Sequence, residues 1–187
     1  MREPISASGP QPSDWSDRAC DLTMDTGTKS PRANAVSIVK GFCSMRKDMI
    51  SAAMIAPCGL DCSLCKRALD ETNPCPGCNG PDVNKPEFCS RKCGIILCRK
   101  RIDNGYEYCD ECPDYPCEDV MEKETRYTSM YPLYESPGKN LRDIRELGME
   151  QFLKNERDLW ACKECGHIIA VHTGICSGCG KQYGEQK

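Results

Sequence analysis

The chain has few aromatic residues and few histidines. Aromatics make up 6% of its 187 residues, with three Phe and two Trp, and only two His occur. Such a chain buries a thin hydrophobic core for its length, and small modules with thin cores need disulfides or metal ions for stability. Cysteine, which occurs seventeen times, can supply either of them.

Long apolar runs are also absent. No stretch of about 18 apolar residues is present, so we predict no membrane-spanning helix. Residues 1–30 carry charged side chains and no continuous apolar segment, which is not the pattern of a signal peptide. Disulfides belong mainly to secreted chains. Because seventeen is an odd number, the cysteines cannot all pair within one chain, and metal ligation is favoured over a disulfide framework.

The chain lacks the familiar catalytic motifs. It has no glycine-rich phosphate loop, no nucleophile elbow and no metalloprotease motif. Both histidines, His167 and His172, lie among the last cysteines of the chain. No thioredoxin-like strand–helix–strand pattern surrounds a Cys-x2-Cys pair. The sequence therefore predicts no reaction and favours a role other than that of an enzyme.

The cysteines form two groups. The central group has eleven members: Cys58, Cys62, Cys65, Cys75, Cys78, Cys89, Cys93, Cys98, Cys109, Cys112 and Cys117. The C-terminal group has four: Cys162, Cys165, Cys176 and Cys179. Many follow Cys-x2-Cys spacing, which presents two thiolates to one ion, so we predict all fifteen as metal ligands. We expect the remaining two, Cys20 and Cys43, to be free thiols.

The C-terminal group has the spacing of a zinc ribbon. Two Cys-x2-Cys-Gly knuckles are separated by ten residues, and the apolar residues 168–171 between them predict a strand. Two such knuckles supply four thiolates for one tetrahedral ion. We expect His167 and His172 to be bystanders, because four cysteines already complete the site.

The central group allows more than one partition. It permits two four-thiolate sites with three thiols left over, or a three-cysteine site with an open position. We expect zinc, at about two to three ions per chain, because four thiolates close its coordination sphere. The alternative is a [4Fe–4S] cluster on Cys58, Cys62 and Cys65, in a redox or electron-transfer protein. That spacing also occurs in radical S-adenosylmethionine enzymes, but this chain lacks the length and the strand–helix alternation of their barrel.

The predicted fold class is a small metal-stabilised α+β protein. It combines an irregular cysteine-rich domain that has short helices with a C-terminal zinc ribbon. Four segments follow from this: a disordered or weakly helical extension (1–53), the cysteine-rich metal-binding domain (54–135), a helical linker (136–159) and the ribbon (160–187).

Helix signals appear in the second half of the chain. A short helix is predicted over 118–126, with acidic residues at its positive end. Ser136 is a predicted N-cap with Pro137 at the first helical position, and Gly148 ends that helix. A second helix follows and ends near residue 159. The residues predicted to pack on the metal modules are Leu141, Ile144, Leu147, Met149, Phe152 and Leu153.

Charge is unevenly distributed although the formal net charge is only −3. A basic cluster flanks two central cysteines: Arg91, Lys92, Arg99, Lys100 and Arg101. Cations stabilise nearby thiolates, and the acidic stretch that follows would repel a polyanion. We therefore favour local charge balance and a binding or adaptor role with an unidentified protein partner. Nucleic-acid binding through this cluster is a third interpretation, and we expect no membrane partner.

Several motifs together resemble a known family. The stretches "MIAPCGLDCSLC", "CPGC", "CSRKCGIILC" and "YCDECPDYPC", followed by "LRDIRELGMEQFL" and a final pair of Cys-x2-Cys-Gly knuckles, occur in this order over residues 54–180. They are similar to the prokaryotic cysteine-rich family known as domain of unknown function 3795. The resemblance implies a cytoplasmic bacterial or archaeal protein that is presumed to bind zinc and has no established activity. It supports metal binding at Cys58, Cys62, Cys65, Cys75, Cys78, Cys93, Cys98, Cys109, Cys112 and Cys117.

Overall fold

The structure, a computed structural model, describes residues 49–184. Its α-helices are α1 (Arg99–Asn104), α2 (Glu118–Ser129), α3 (Pro137–Leu147) and α4 (Met149–Trp160). Single 3₁₀ turns cover Ala52–Met54, Cys62–Leu64 and Cys109–Glu111, and a π-helical turn covers Phe88–Lys92. None of the helices in 49–184 is long and apolar enough to cross a membrane. The predicted free thiols Cys20 and Cys43, and the extension up to residue 48, lie outside the described residues.

The helices of the second half begin where the sequence predicts. Ser136 caps α3, because its hydroxyl accepts a hydrogen bond from the Lys139 amide at 3.0 Å, and Pro137 occupies the first turn. Gly148, with φ +81°, separates α3 from α4 and donates its amide to the carbonyl of Ile144. Helix α2 extends three residues beyond the predicted end at residue 126.

Two buried clusters form the core. The larger cluster joins α3 and α4 to the C-terminal segment through Leu141, Phe152, Trp160 and Ile168, together with Leu64. The smaller one consists of Ala56, Cys58, Leu60, Cys93, Ile95, Cys109 and Val120. Three thiols therefore take core positions that aliphatic side chains occupy in other proteins. Leu147, which was predicted to face the core, is instead 49% exposed, because it lies in the last turn of α3, next to Gly148.

The β component of the predicted fold is smaller than expected. Within residues 49–184, strand pairing is confined to isolated bridges, and the predicted strand at 168–171 contributes only Ile168 and Ile169. Ile168 pairs with Ala161, and Ile169 pairs with Cys176. The chain turns at each cysteine pair on either side of this segment, so no extended ladder develops. The described part of the chain is mostly helical.

The loop around Gly59 joins the cysteine-rich segment to α3. Gly59 has φ +96°, and a Cβ placed there would overlap the Pro137 carbonyl oxygen and lie 2.8 Å from Leu141 Cγ. Beside it, the buried Glu135 carboxylate accepts the Asp61 amide at 2.7 Å, and Asn140 donates to the Gly59 carbonyl at 2.9 Å. These contacts hold the first cysteine knuckle against the start of α3.

Three buried carboxyl groups lie near this junction. Burial, together with the neighbouring carboxylates, raises the pKa of Glu135. Burial also raises the pKa of Asp61 to about 6, although hydrogen bonds from Ser63 oppose it. Burial and the Asp61 charge raise the pKa of Glu156 to about 8, against the hydrogen bond that Trp160 donates to Glu156 Oε2 at 2.9 Å. The folded protein therefore holds protons here that the unfolded chain releases.

Gly59→Ala should destabilise the protein more than Gly105→Ala does. Both glycines have positive φ, so alanine strains either site by about 1 kcal/mol, but Gly105 has open space around it whereas Gly59 does not. We expect Gly59→Ala to lower the free energy of unfolding by about 3 kcal/mol, since overpacking adds to the strain. Chemical denaturation of both variants measures the difference, and equal losses would contradict the contact with α3.

Replacement of Glu156 should change the pH dependence of stability. A carboxyl whose folded pKa is raised stabilises the fold below its unfolded value of 4.5, and this contribution is lost as pH rises to about 8. Between about pH 6 and 8.5 we expect the wild type to lose on the order of 2 kcal/mol more than Glu156→Gln. Glu150→Gln, on the exposed face of the same helix, is the control and should follow the wild type. Parallel profiles for all three proteins would refute the assignment.

Candidate metal centre

The four C-terminal cysteines converge on one point. The Sγ atoms of Cys162, Cys165, Cys176 and Cys179 all lie within 4.8 Å of one another. Cys162 and Cys179 are 3.6 Å apart, and Cys165 and Cys176 are 3.4 Å apart. A tetrahedral zinc site with Zn–S bonds of about 2.3 Å needs sulfur atoms roughly 3.8 Å apart. The sequence-predicted partners are thus brought together, and the four could hold a metal ion.

Backbone amides point at these sulfur atoms. Gly178 donates its amide to Cys176 Sγ at 3.4 Å, and the amide of Cys179 also interacts with this sulfur. The amides of Glu164 and Cys165 do the same for Cys162. Such donors stabilise a negatively charged sulfur, and tight glycine-containing knuckles place them within reach. These amides favour the thiolate, which is the form of cysteine that binds metals, and oppose the burial that raises the pKa of Cys165 and of Cys176.

Tyr183 is a functional residue that the sequence reasoning missed. Its hydroxyl donates to Cys162 Sγ at 3.0 Å and accepts the Lys163 amide at 2.8 Å. Burial raises the pKa of Cys162, but the Tyr183 hydroxyl and the backbone amides outweigh it and lower that pKa to about 6. Burial raises the pKa of Cys165 to about 12. No spacing rule marks Tyr183, because the fold alone brings it back to the first knuckle.

His167 and His172 lie outside the four-sulfur cluster. His167 Nδ1 is 3.3 Å from the carbonyl of Cys165. His172 Nε2 is 3.1 Å from the hydroxyl of Tyr127 on α2, and burial lowers the His172 pKa to about 4, so the ring is neutral. Next to it, the Val171 amide donates to the Leu64 carbonyl at 3.0 Å. The loop that carries His172 therefore attaches the C-terminal knuckles to the cysteine-rich segment.

The central cysteines are more widely spaced. Among residues 49–184, the C-terminal four are the one group of three or more potential ligands whose ligand atoms all lie within 4.8 Å of one another. Cys58, Cys93 and Cys109 are buried together in the smaller core cluster, against which Cys62 and Cys78 pack. Burial raises the pKa of Cys109 to about 12 and that of Cys89 to about 11, and neighbouring thiols add to both shifts. The partially buried members are Cys62, Cys65, Cys75, Cys78, Cys89, Cys98 and Cys112, and Cys117 is exposed.

The basic cluster is engaged locally. Lys92 pairs with Glu87 at 3.1 Å, and Lys100 pairs with Asp114. The Arg101 guanidinium donates to the carbonyls of Ile95, Ile96 and Tyr106 at 3.3–3.4 Å. Asp114 belongs to the acidic stretch that follows the cluster and Glu87 precedes it, so nearby carboxylates balance part of the cluster.

The central segment also has a family match. The model of the family described as "Protein of unknown function (DUF3795)" covers residues 54–122. Residues 54–122 are therefore similar to that family. The DUF3795 match contains all eleven central cysteines and ends within α2, so the helices α3 and α4 and the C-terminal cysteines lie beyond it. No curated protein and no solved structure matches the chain. The predicted resemblance is confirmed for residues 54–122, while zinc and a prokaryotic origin remain predictions.

Tyr183→Phe should weaken metal binding at the C-terminal cluster. The substitution removes the O–H donor to Cys162 Sγ and leaves the ring in place. Loss of an outer hydrogen bond to a ligand typically lowers metal affinity about 10-fold or more. Competition with a chromophoric chelator measures the change. Tyr134→Phe, at a side chain that is 63% exposed, is the control. If both variants retain wild-type affinity, Tyr183 does not support the ligand.

Proposed function

We propose that this protein is a zinc-stabilised binding or adaptor module whose C-terminal cysteines form a structural zinc ribbon. The observation that carries the proposal is the convergence of four sulfur atoms within 4.8 Å. Four thiolates fill the coordination sphere of zinc and leave no open position for water or substrate. A closed site of this kind stabilises a fold and does not catalyse a reaction.

The surroundings of the cluster support a structural role. Cys162 and Cys176 belong to the larger core cluster, together with Trp160 at the end of α4. An ion bound there would connect the last helix to the segment around residue 183. Since metal binding and folding are coupled in small metal modules, the free energy of binding would add directly to the stability of this core.

A protein partner fits the surface better than a nucleic acid does. The paired cations of the basic cluster, Lys92 and Lys100, already neutralise neighbouring carboxylates. Binding of a polyanion would have to break these pairs and approach the acidic stretch that follows. Exposed apolar side chains near the end of α2, among them Met130 and Tyr134, offer contacts of the kind that proteins use.

The metal content of the purified protein tests the proposal. Protein prepared without oxygen should contain zinc, and Cys176→Ser combined with Cys179→Ser should remove one ion per chain and lower the melting temperature. Elemental analysis and thermal unfolding measure both effects. The matched control is Ser177→Ala in the same knuckle, because within residues 49–184 the Ser177 hydroxyl has no hydrogen-bond partner.

Two results would contradict the proposal. A full complement of zinc in the Cys176→Ser, Cys179→Ser variant would show that these residues are not ligands. Iron and acid-labile sulfide in place of zinc, with a reducible paramagnetic signal, would instead favour the electron-transfer interpretation.

A further inference from the structure

Two short segments of the central domain face each other. The first segment is the 3₁₀ turn Cys62–Leu64, which Cys62 begins and Cys65 follows, and the second is the loop Cys75-Pro76-Gly77-Cys78. Gly77 has φ +79°, and a Cβ at this position would lie 3.4 Å from Cys62 Cβ and 2.9 Å from Met54 Sδ. The loop is thus in van der Waals contact with Cys62, and its positive φ together with the nearby Met54 sulfur favours glycine at its centre.

Hydrogen bonds to sulfur join the two segments. The Cys78 amide donates to Cys62 Sγ at 3.4 Å, across sixteen residues of sequence. Cys65 Sγ accepts hydrogen bonds from the backbone amides of Arg67 and Ala68. The C-terminal cluster has the same arrangement, with amides directed at the sulfur atoms of each knuckle.

A buried cation lies beside these thiols. The Lys85 side chain is 4% exposed, and its ammonium group donates to the carbonyls of Cys78 and Gly80 at 3.0 and 2.6 Å. The same ammonium group also lies 3.3 Å from the exposed Asp82 carboxylate. A site of four thiolates and one divalent ion carries a formal charge of −2, which a buried ammonium group stabilises.

We infer that Cys62, Cys65, Cys75 and Cys78 bind one divalent metal ion as a second four-thiolate site, separate from the C-terminal cluster and supported by Lys85. The inference rests on the proposed function, since it requires that the chain binds metal. It also chooses one of the ways of dividing the central cysteines among metal sites that their spacing leaves open. Ligation would draw the two segments to the roughly 3.8 Å sulfur spacing of a tetrahedral site. Cys58 then remains with Cys93 and Cys109 in the smaller core cluster. A [4Fe–4S] cluster on Cys58, Cys62 and Cys65 would require a different partition.

Metal stoichiometry of the full chain tests whether the four residues share an ion. Cys62→Ser and Cys78→Ser should each remove one zinc ion per chain, and the double variant should still lack only one. Cys62→Ser combined with Cys176→Ser should remove two. Thr72→Ala, at an exposed position in the loop between the two segments, is the control and should retain the wild-type metal content.

The wild-type protein supplies a second measurement that does not depend on how the variants fold. Under stepwise chelation, alkylation followed by mass spectrometry should show Cys62, Cys65, Cys75 and Cys78 becoming reactive together, at a chelator concentration that differs from that of the C-terminal four. If Cys89, and not Cys62, becomes reactive together with Cys65, Cys75 and Cys78, the assignment is wrong. So would loss of two ions in the Cys62→Ser, Cys78→Ser variant.

These outcomes separate the two proposals. If the wild type contains no metal, both proposals fail. If Cys176→Ser removes an ion but Cys62→Ser and Cys78→Ser remove none, the C-terminal site stands and the central one is refuted.

Discussion

Burial of sulfur is the constraint on which this structure depends. Cys58, Cys93 and Cys109 take positions in the smaller core cluster, and Cys162 and Cys176 belong to the larger one. Burial favours the neutral thiol, whereas metal ligation needs the thiolate. A divalent cation would resolve this conflict, because it would stabilise several thiolates at once. The backbone amides directed at sulfur, the Tyr183 hydroxyl and the Lys85 ammonium group also favour negative charge on nearby sulfur atoms.

The helical hairpin of α3 and α4 depends on the cysteine-rich segments as much as it supports them. Its apolar face packs on Leu64 and on the C-terminal residues around Ile168. A polar junction at Gly59, Glu135 and Asn140 attaches its first turn to the initial knuckle. A thin aromatic content is thereby sufficient, since the buried apolar side chains of the hairpin belong to the same core cluster as Leu64, Cys162 and Cys176.

The sequence predicted those features that depend on neighbouring residues. The Ser136 cap, the break at Gly148 and the start of α2 follow from local chemistry and appear as expected. The exposure of Leu147 and the absence of a regular strand at 168–171 do not follow from local chemistry, because both depend on packing against distant segments of the chain. A helical pattern shows which residues share a face, but not how far along the helix the partner surface extends.

Spacing alone determined that this is a cysteine-rich chain with paired thiols, and it identified the C-terminal four as partners. A Cys-x2-Cys knuckle is a local structure, so its two sulfur atoms point to the same side whatever surrounds them. Only the tertiary structure decided which knuckles face each other and which side chains complete their surroundings. Tyr183 reaches Cys162 across 21 residues, and the Cys78 amide reaches Cys62 across 16. Contacts between distant segments of this kind are set by packing, and no pattern in the sequence encodes them.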